Sequence, residues 1–192
     1  MNRPRQYDRE EVLTKTTDLF WEKGFEATSM NDIVARTGIK KFSIYNEFGD
    51  KEKLFLACMD HFLLNYCFVE EILAKEPLGL RNIEAFFEYK VCSYGTQANN
   101  GCLIFNSVIE KDILSEAVNL KVNAFISKMK ILFNNCLSAA QEKKEISNNK
   151  DCKDLANYLS CFTFGFVNLG MKGISKEELR KTADFALSVV KS

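Results

Sequence analysis

Proline and histidine are scarce in this chain of 192 residues, which has only two prolines and one histidine. The prolines, Pro4 and Pro77, lie outside every long segment with helical spacing of apolar residues, so neither interrupts a helix. Leucine, lysine, glutamate and alanine, which favour helices, are frequent instead. The composition therefore predicts an all-α fold.

The single histidine, His61, limits the catalytic chemistry that the chain can support. No Glu-x-x-His pair is present for a di-iron helical bundle, and a serine or cysteine nucleophile would lack its commonest base. A Gly-x-x-x-x-Gly-Lys phosphate loop is also missing. We therefore expect no enzyme, no cofactor and no metal site. A helical protein-binding adaptor and a small-molecule enzyme without DNA binding stay open as alternative functions.

Net charge is lacking too, because 26 basic residues balance 26 acidic ones. Any attraction to nucleic acid must therefore come from a local arrangement. No run of 18 apolar residues and no apolar N-terminal stretch occurs, so neither a membrane span nor a secretory signal is expected. Seven cysteines, an odd number without C-x-x-C spacing, favour reduced thiols in a cytoplasmic protein.

Apolar spacing and glycine stops divide the first fifty residues into three short helices. Ser29 and Asp32 have the spacing of a capping box at the start of the second helix. Gly38 separates the second helix from the third. The expected helices are 8–23, about 29–37 and 40–47.

A fourth helix is expected to begin at Asp50, which can cap it, and to run to about Ala74. Longer helices follow Pro77, and SNNKD (147–151) is expected to be a loop. The remaining expected helices are 80–94, 102–113, 115–144, 152–171 and 176–190. We expect two domains, residues 1–50 for the three short helices and 51–192 for a C-terminal helical bundle.

The stretch TGIKKFSIYNEFGDKEKL (37–54) places lysines beside aromatic residues. Three short helices, with the second and third joined across a glycine, form a helix-turn-helix whose third helix enters the major groove. Ile44 and Phe48 are four residues apart and can pack inward. Solvated lysines and core aromatics remain the alternative, because ten basic residues in 1–53 are balanced by ten acidic ones. The candidate DNA contacts are Thr28, Ser29, Lys40, Lys41, Phe42, Ser43, Tyr45 and Lys51.

Residues 8–55 resemble the DNA-binding domain of the TetR family of bacterial transcriptional regulators. The segments GFEATSMNDIVARTGI and SIYNEFGDKEKL carry the resemblance. It implies that Thr28, Tyr45 and Lys51 anchor phosphates. The positions that it implies for base reading are Lys40, Lys41, Phe42 and Ser43.

Two residues depart from the family's pattern. Phe42 stands where a small residue is common, which implies a change in the operator that is read. Glu47 stands where neutral or basic residues are common, and we expect its carboxylate to turn away from DNA or to contact a cytosine amino group. The N-terminal NRPR (2–5) can be a disordered tail or a cationic arm.

By the same resemblance, residues 51–192 hold an effector pocket and a homodimer interface. An apolar cavity that contains methionine suits a hydrophobic small molecule, although each of these side chains can instead pack a core. The predicted pocket residues are Phe62, Tyr66, Phe86, Tyr89, Cys102, Phe105, Phe125 and Met129. The predicted dimer residues on the last two helices, which can instead face their own bundle, are Leu159, Phe162, Phe166, Leu169, Phe185 and Val189.

The segment NGCLIFNSVIE (100–110) is similar to one found in a subset of TetR relatives, among them an electrophile-responsive repressor with a sensing cysteine. A thiol near a helix start is stabilised as thiolate, so Cys102 is a candidate sensor. The alternative is a small buried residue at the start of a packed helix. The resemblance thus implies a dimeric repressor of double-stranded operator DNA that a hydrophobic or electrophilic ligand releases.

Overall fold

The computed structural model describes residues 7–94 and 100–191, and the regular elements within these ranges are α-helices. The predicted all-α fold is confirmed, while the predicted tail or arm at 2–5 lies outside the described residues. None of the described helices has the length and apolar character to cross a lipid bilayer. The helices are α1 (Arg9–Lys23), α2 (Met30–Thr37), α3 (Lys41–Phe48), α4 (Lys51–Asn65), α5 (Val69–Leu73), α6 (Leu80–Ser93), α7 (Leu103–Ile109), α8 (Glu116–Glu142), α9 (Cys152–Met171) and α10 (Lys176–Lys191).

The three predicted N-terminal helices are confirmed, and local capping explains their ends. Ser29 and Asp32 form the predicted capping box, in which Asp32 N donates to Ser29 Oγ at 3.1 Å and Ser29 N donates to Asp32 Oδ2 at 2.8 Å. Gly38 ends α2 with φ of 75°, a left-handed conformation that glycine adopts at little cost. The chain can therefore turn sharply from α2 into α3.

The predicted single helix from Asp50 to Ala74 is wrong beyond Asn65. Asp50 does cap α4, since its side chain accepts from Lys53 N at 2.8 Å. At the end of α4 the Asn65 side-chain amide donates to the His61 carbonyl at 2.9 Å, a bond of the kind that competes with the helical backbone bonds. Tyr66 then leaves the helical conformation with φ of −126°, and α5 is a separate short helix.

The predicted helix 102–113 is shorter than expected. Its last turn tightens where Glu110 N donates to Ser107 O, three residues earlier, at 3.2 Å. Ile113 N and Leu114 N then both donate to Glu110 O, which forms a turn before α8 begins at Glu116.

Packing divides the chain into two units. Unit 1 comprises residues 1–67 and 102–122, so α7 packs with α1 and α4 although it is far from them in sequence. Unit 2 comprises residues 68–101 and 123–192. The predicted functional boundary after residue 50 stays a prediction.

Each unit has its own aromatic core. In unit 1, Phe55 packs against Phe20 and Phe25 with ring centroids 4.8 and 5.0 Å apart, beneath the short helices. In unit 2, Phe87 packs against Phe86 at 5.2 Å and Phe166 at 5.9 Å. Burying one such side chain contributes roughly 1.5–3 kcal/mol, so both cores hold their helices firmly.

Candidate DNA-binding site

Helix α3 has one buried face and one exposed face. Ile44 and Phe48 point into unit 1, as predicted, and are only 2% and 9% exposed. Phe42 is 75% exposed and Tyr45 39% exposed on the other side. The fold of the chain does not account for a phenylalanine this exposed, whereas a binding surface does.

The balance of charges in the N-terminal helices conceals a local excess of positive charge at the start of α3. Most cations nearby are used in ion pairs with carboxylates. Among the described residues, Lys40 and Lys41 form no such pair, and the Lys41 ammonium lies 5.8 Å from the centroid of the Tyr45 ring. The start of α3 therefore offers two cations to an anionic partner. The paired cations are Arg9 with Glu47, Lys15 with Glu11, Lys23 with Asp32, Arg36 with Glu22 and Lys53 with Asp50.

Asn46 is a candidate that the sequence reasoning missed. Its side chain is exposed on α3, one turn after Phe42, and makes no hydrogen bond within the described ranges. A carboxamide at this position can bind adenine through two hydrogen bonds in the major groove. The four-residue spacing from Phe42 was the available signal. Ser43, which was predicted, is only half-exposed beside them.

The structure gives Glu47 a role within unit 1. Its carboxylate lies 3.3 Å from Arg9 Nε and accepts a hydrogen bond from the Tyr7 hydroxyl at 3.5 Å. The Arg9 guanidinium also lies over the Phe48 ring, 5.4 Å from its centroid. Glu47 therefore ties the last turn of α3 to the start of α1, and its negative charge is matched before any phosphate approaches.

Thr28 and Ser29 differ in what they can reach. Thr28 is fully buried, and its hydroxyl donates to Gly24 O at 2.7 Å, so this side chain closes the turn before α2. Ser29 is exposed, and its hydroxyl is already engaged with Asp32 at 2.5 Å. Phosphate contacts by the two side chains stay predictions. The burial of Thr28 does not support a phosphate contact by this residue.

Lys51 lies at the first position of α4, where the backbone N–H groups of a helix start favour an anion. Its ammonium stands 4.3 Å from the centroid of the Phe25 ring. Burial lowers the pKa of Lys51, while the nearby carboxylates of Glu110 and Glu26 oppose this shift. A phosphate would replace some of the water that the ammonium has lost, so the site is suited to a phosphate oxygen.

Comparison with known proteins decides the family. Residues 12–58 match the model of the bacterial regulatory proteins of the tetR family. Residues 79–170 match the model of a tetracyclin repressor-like C-terminal domain. This chain belongs to the TetR family. It is a helix-turn-helix transcriptional regulator.

Individual proteins agree with this assignment. The HTH-type transcriptional repressor ComR of Escherichia coli K12 is 29% identical over 194 residues, which cover 96% of this chain and 90% of ComR. A TetR regulator from Chloroflexus aurantiacus shares 26% identity and a TM-score of 0.81, over 94% of this chain and 92% of its own. CifR, solved as a cysteine mutant with a 26-base-pair operator DNA, has a TM-score of 0.84 at 22% identity, over 97% of this chain and 98% of its own. The CifR similarity shows a common fold.

The residues predicted for a TetR effector pocket fall into two groups. Phe62 and Tyr66 lie in unit 1 beside Trp21, at ring distances of 5.0 and 5.7 Å. Trp21 was not predicted, and its buried Nε1 finds no hydrogen-bond partner within the described residues. Cys102 and Phe105 are also buried in unit 1.

The other four predicted pocket residues belong to unit 2. Phe86 and Met129 are buried, Phe125 is half-buried, and Tyr89 meets Phe68 edge-on at 5.8 Å. The structure therefore does not bring all eight predicted residues together within one unit. Their common role as an effector pocket stays a prediction.

Two surface cavities of unit 2 have a different character from an apolar TetR effector pocket. Their volumes are about 470 and 560 Å³, and charged and amide side chains contribute to both linings. None of the predicted effector residues lines either cavity. The first cavity is lined by Glu71, Ile72, Lys75, Glu76, Pro77, Arg81, Asn82 and Ala85. The second is lined by Asn134, Ser138, Gln141, Asn148, Asn149, Lys150, Asp151, Cys152 and Lys153.

No disulfide bond joins any of the seven cysteines, all of which lie in the described ranges, and their surroundings differ. Cys102 precedes α7 and is 5% exposed, whereas Cys92 and Cys161 are exposed. Burial raises the pKa of Cys58 to about 12 and that of Cys136 to about 11, so neither thiol is readily ionised. Sensing by Cys102 stays a prediction.

The predicted TetR dimer residues also divide by burial. Leu159 and Phe166 lie in the interior of unit 2, so they cannot touch a second chain in this conformation. Leu169 and Phe185 are 46% and 73% exposed. The remaining two, Phe162 and Val189, are half-buried. Sequence periodicity had identified the apolar face of α9, which turns out to be largely its inner face.

Proposed function

We propose that this chain is a repressor that binds operator DNA as a homodimer in the cytoplasm and that a small apolar or electrophilic effector releases it. The observation that carries the proposal is the exposed surface of α3, where the side chains of Lys40, Lys41 and Phe42 face solvent and the two lysines form no ion pair within the described residues. ComR and other relatives named as repressors support the sign of the regulation. A catalytic role is not part of the proposal.

Roles on α3 follow from exposure. Lys41, Phe42 and Asn46 lie where side chains of a recognition helix meet base edges: a lysine suits guanine, a ring suits the thymine methyl group, and an amide suits adenine. Tyr45 and Lys51 anchor phosphates, because a hydroxyl and an ammonium fix the register without reading sequence.

The dimer is proposed to form through the exposed face of α9. Cys161, Gly165 and Leu169 follow one another at four-residue spacing on this face. Apart from the adjacent residues and the backbone of α9 itself, no described atom lies within 4 Å of the position that a Cβ on Gly165 would occupy. Glycine within a helix is less favourable than alanine by roughly 1 kcal/mol, so the chain's own packing gives no reason for it. Close approach by α9 of a second copy would explain why glycine occupies this position.

Fluorescence anisotropy with DNA from upstream of the chain's own gene tests the proposal. We expect specific binding that weakens steeply with salt, since phosphate contacts release counterions. Tyr45→Phe and Lys51→Ala should weaken binding to all sequences alike. Lys172→Ala, which removes an exposed lysine of unit 2, is the matched control and should bind as the wild type does. Absence of binding at low salt would favour a protein-binding adaptor.

The electrophilic effector has a separate test at Cys102. If this thiol is the sensor, N-ethylmaleimide releases the wild-type protein from DNA and leaves Cys102→Ser bound. Cys92→Ser and Cys161→Ser control for reaction at exposed thiols. Equal release of wild type and Cys102→Ser would leave only the apolar effector in the proposal.

A further inference from the structure

Glu110, the residue that follows α7, makes an unusual contact with the turn between α1 and α2. Its Oε2 accepts a hydrogen bond from Phe25 N at 2.9 Å, and its Oε1 accepts one from Glu26 N at 2.9 Å. The two partners are backbone groups 85 and 84 residues away in sequence. One carboxylate thus satisfies two consecutive N–H groups outside any helix, and such charge-assisted bonds are stronger than neutral ones.

The turn is shaped around this carboxylate. Gly24 has φ of 84°, and a Cβ at this position would lie 2.9 Å from Glu110 Oε1, so a larger residue would both strain the backbone and crowd the carboxylate. Thr28 closes the other side of the turn through its bond to Gly24 O. Ser29 follows directly as the cap of α2. The position of Glu110 therefore helps to determine where α2, and after it α3, begins.

Glu110 is also connected, through Phe25, to the predicted phosphate anchor Lys51. Burial lowers the pKa of Lys51, and the negative charge of Glu110 opposes this shift. The Lys51 ammonium also lies over the ring of Phe25, the residue whose N–H Glu110 binds. Glu110, Phe25 and Lys51 therefore form one connected group in unit 1.

Glu110 comes from a part of the sequence that is distinct from the helix-turn-helix. It lies within residues 79–170, which match the C-terminal domain model, whereas its partners lie within residues 12–58, which match the DNA-binding model. Helix α7 nevertheless packs against α1 and α4 inside unit 1. This contact is thus a direct link between the two family regions.

We propose that Glu110 is a positioning residue for operator binding, which holds the α1–α2 turn and the Phe25–Lys51 pair in the geometry that DNA requires. A shift of α7 would then reach the DNA-binding helices through this carboxylate. The inference rests on the proposed function, since it needs an operator to be bound.

Whether Glu110→Gln strengthens or weakens operator binding separates a positioning role from a simple charge effect. Glu110→Gln removes a negative charge close to the phosphate anchor, which by charge alone would tighten DNA binding. Its amide has only one oxygen, so it can accept only one of the two N–H bonds well. If Glu110 positions the turn, Glu110→Gln weakens operator binding and Glu110→Ala weakens it further, by about threefold to thirtyfold. Asp112→Asn is the matched control, because it removes one exposed negative charge two residues away and no contact within the described ranges.

Three measurements make the test decisive. Anisotropy gives operator affinity, thermal melting shows that each variant is folded, and amide hydrogen exchange at Phe25 and Glu26 reports the contact without DNA. Support requires faster exchange at these two amides together with weaker binding by the folded Glu110→Gln chain. The double variant Glu110→Gln, Lys51→Ala should lose less affinity than the two single losses predict when added, because the two residues act partly through one group.

Two results would overturn the proposal. One is operator binding by folded Glu110→Gln that equals or exceeds that of the wild type. The other is unchanged amide exchange at Phe25 and Glu26 in Glu110→Ala, which would mean that the carboxylate does not hold the turn. A wild-type chain that does not bind its operator would instead overturn the proposed function, and the exchange measurement would still report whether the contact exists.

Discussion

The aromatic core of unit 2 and the exposed face of α3 place aromatic residues in opposite surroundings. In unit 2, Phe86, Phe87, Phe133 and Phe166 are no more than 1% exposed. On α3, Phe42 and Tyr45 are displayed to solvent beside Lys40 and Lys41. The first group is accounted for by the hydrophobic effect, and the second group is accounted for only by a binding partner.

The difference shows which aromatic residues carry information about function. A buried ring in a helical bundle is expected whatever the bundle does, so the rings of unit 2 do not by themselves identify an effector. An exposed ring beside two cations without ion pairs in the described chain is a departure from the usual surface. Single exposed residues therefore indicate the DNA-binding role, whereas no single residue indicates the chemical class of the effector.

The largest expected effect is on the free energy of unfolding, compared between one ring in the core of unit 2 and one ring on α3. Phe87→Ala should lower the free energy of unfolding by about 3–5 kcal/mol, because it leaves a cavity among the rings of Phe86, Phe133 and Phe166. Phe42→Ala should change it by less than about 0.5 kcal/mol, because Phe42 packs against little. Urea unfolding followed by circular dichroism measures both. Equal losses would mean that Phe42 has a structural role after all.

Local signals explain how much of the fold could be predicted. Asp8, Ser29 and Asp50 cap the helices that follow them, and Gly24 and Gly38 end the preceding ones. Each of these effects depends on neighbours within a few residues, so the sequence is sufficient. Glu110 bonds residues 84 and 85 positions away, so no local signal could reveal that contact. The break after Asn65 was missed for another reason: apolar residues continue beyond it at Phe68, Val69 and Ile72, so the spacing predicted one longer helix.

The candidate site was predictable in outline and not in its electrostatics. Residue types on α3 pointed to DNA, yet the sequence showed only equal numbers of acidic and basic residues nearby. Three-dimensional pairing decides which cations remain available: Arg9 and Arg36 are matched by Glu47 and Glu22, whereas Lys41 is not matched within the described residues. Pairing of this kind depends on how helices pack, which no short motif encodes.

An intermediate effect is expected on the base preference of operator binding. Only substitutions on the exposed face of α3 should change it. Lys41→Ala should change discrimination at one base pair of each half-site by about 1–3 kcal/mol, since a lysine that reads guanine is lost. Phe42→Ala should relax a preference for thymine. Binding to a set of operators with single base-pair changes measures both effects. Ile131→Ala, which shortens an exposed apolar side chain of unit 2, is the control and should leave base preference unchanged; if it alters preference as much as Phe42→Ala does, exposure alone does not mark the reading surface.

The smallest expected effect is a change in the free energy of unfolding. It compares the polar cap of α2 in the DNA-binding helices with an uncapped, exposed position in the C-terminal helices. Ser29→Ala removes the acceptor of the Asp32 N–H and should cost about 1 kcal/mol at neutral pH. Ser127→Ala, an exposed serine within α8, should cost nothing or stabilise slightly, because alanine favours helix. Urea unfolding of both variants gives the comparison.

The stability difference between the wild type and Ser29→Ala should depend on pH, and the pKa of Asp32 determines the direction of that dependence. Hydrogen bonds from the Ser29 hydroxyl and backbone N–H, with a smaller effect of Lys23, lower the pKa of Asp32 from its ordinary value of 3.8. Because the unfolded chain binds the proton first as the pH falls, the stabilisation is complete above 3.8 and is lost as the pH drops through the folded-state pKa. The difference between wild type and Ser29→Ala should therefore shrink in acid, and high salt should reduce it further, since Asp32 is solvent-accessible. A difference that stays constant down to the acid limit would show that the cap acts through its neutral hydrogen bond alone.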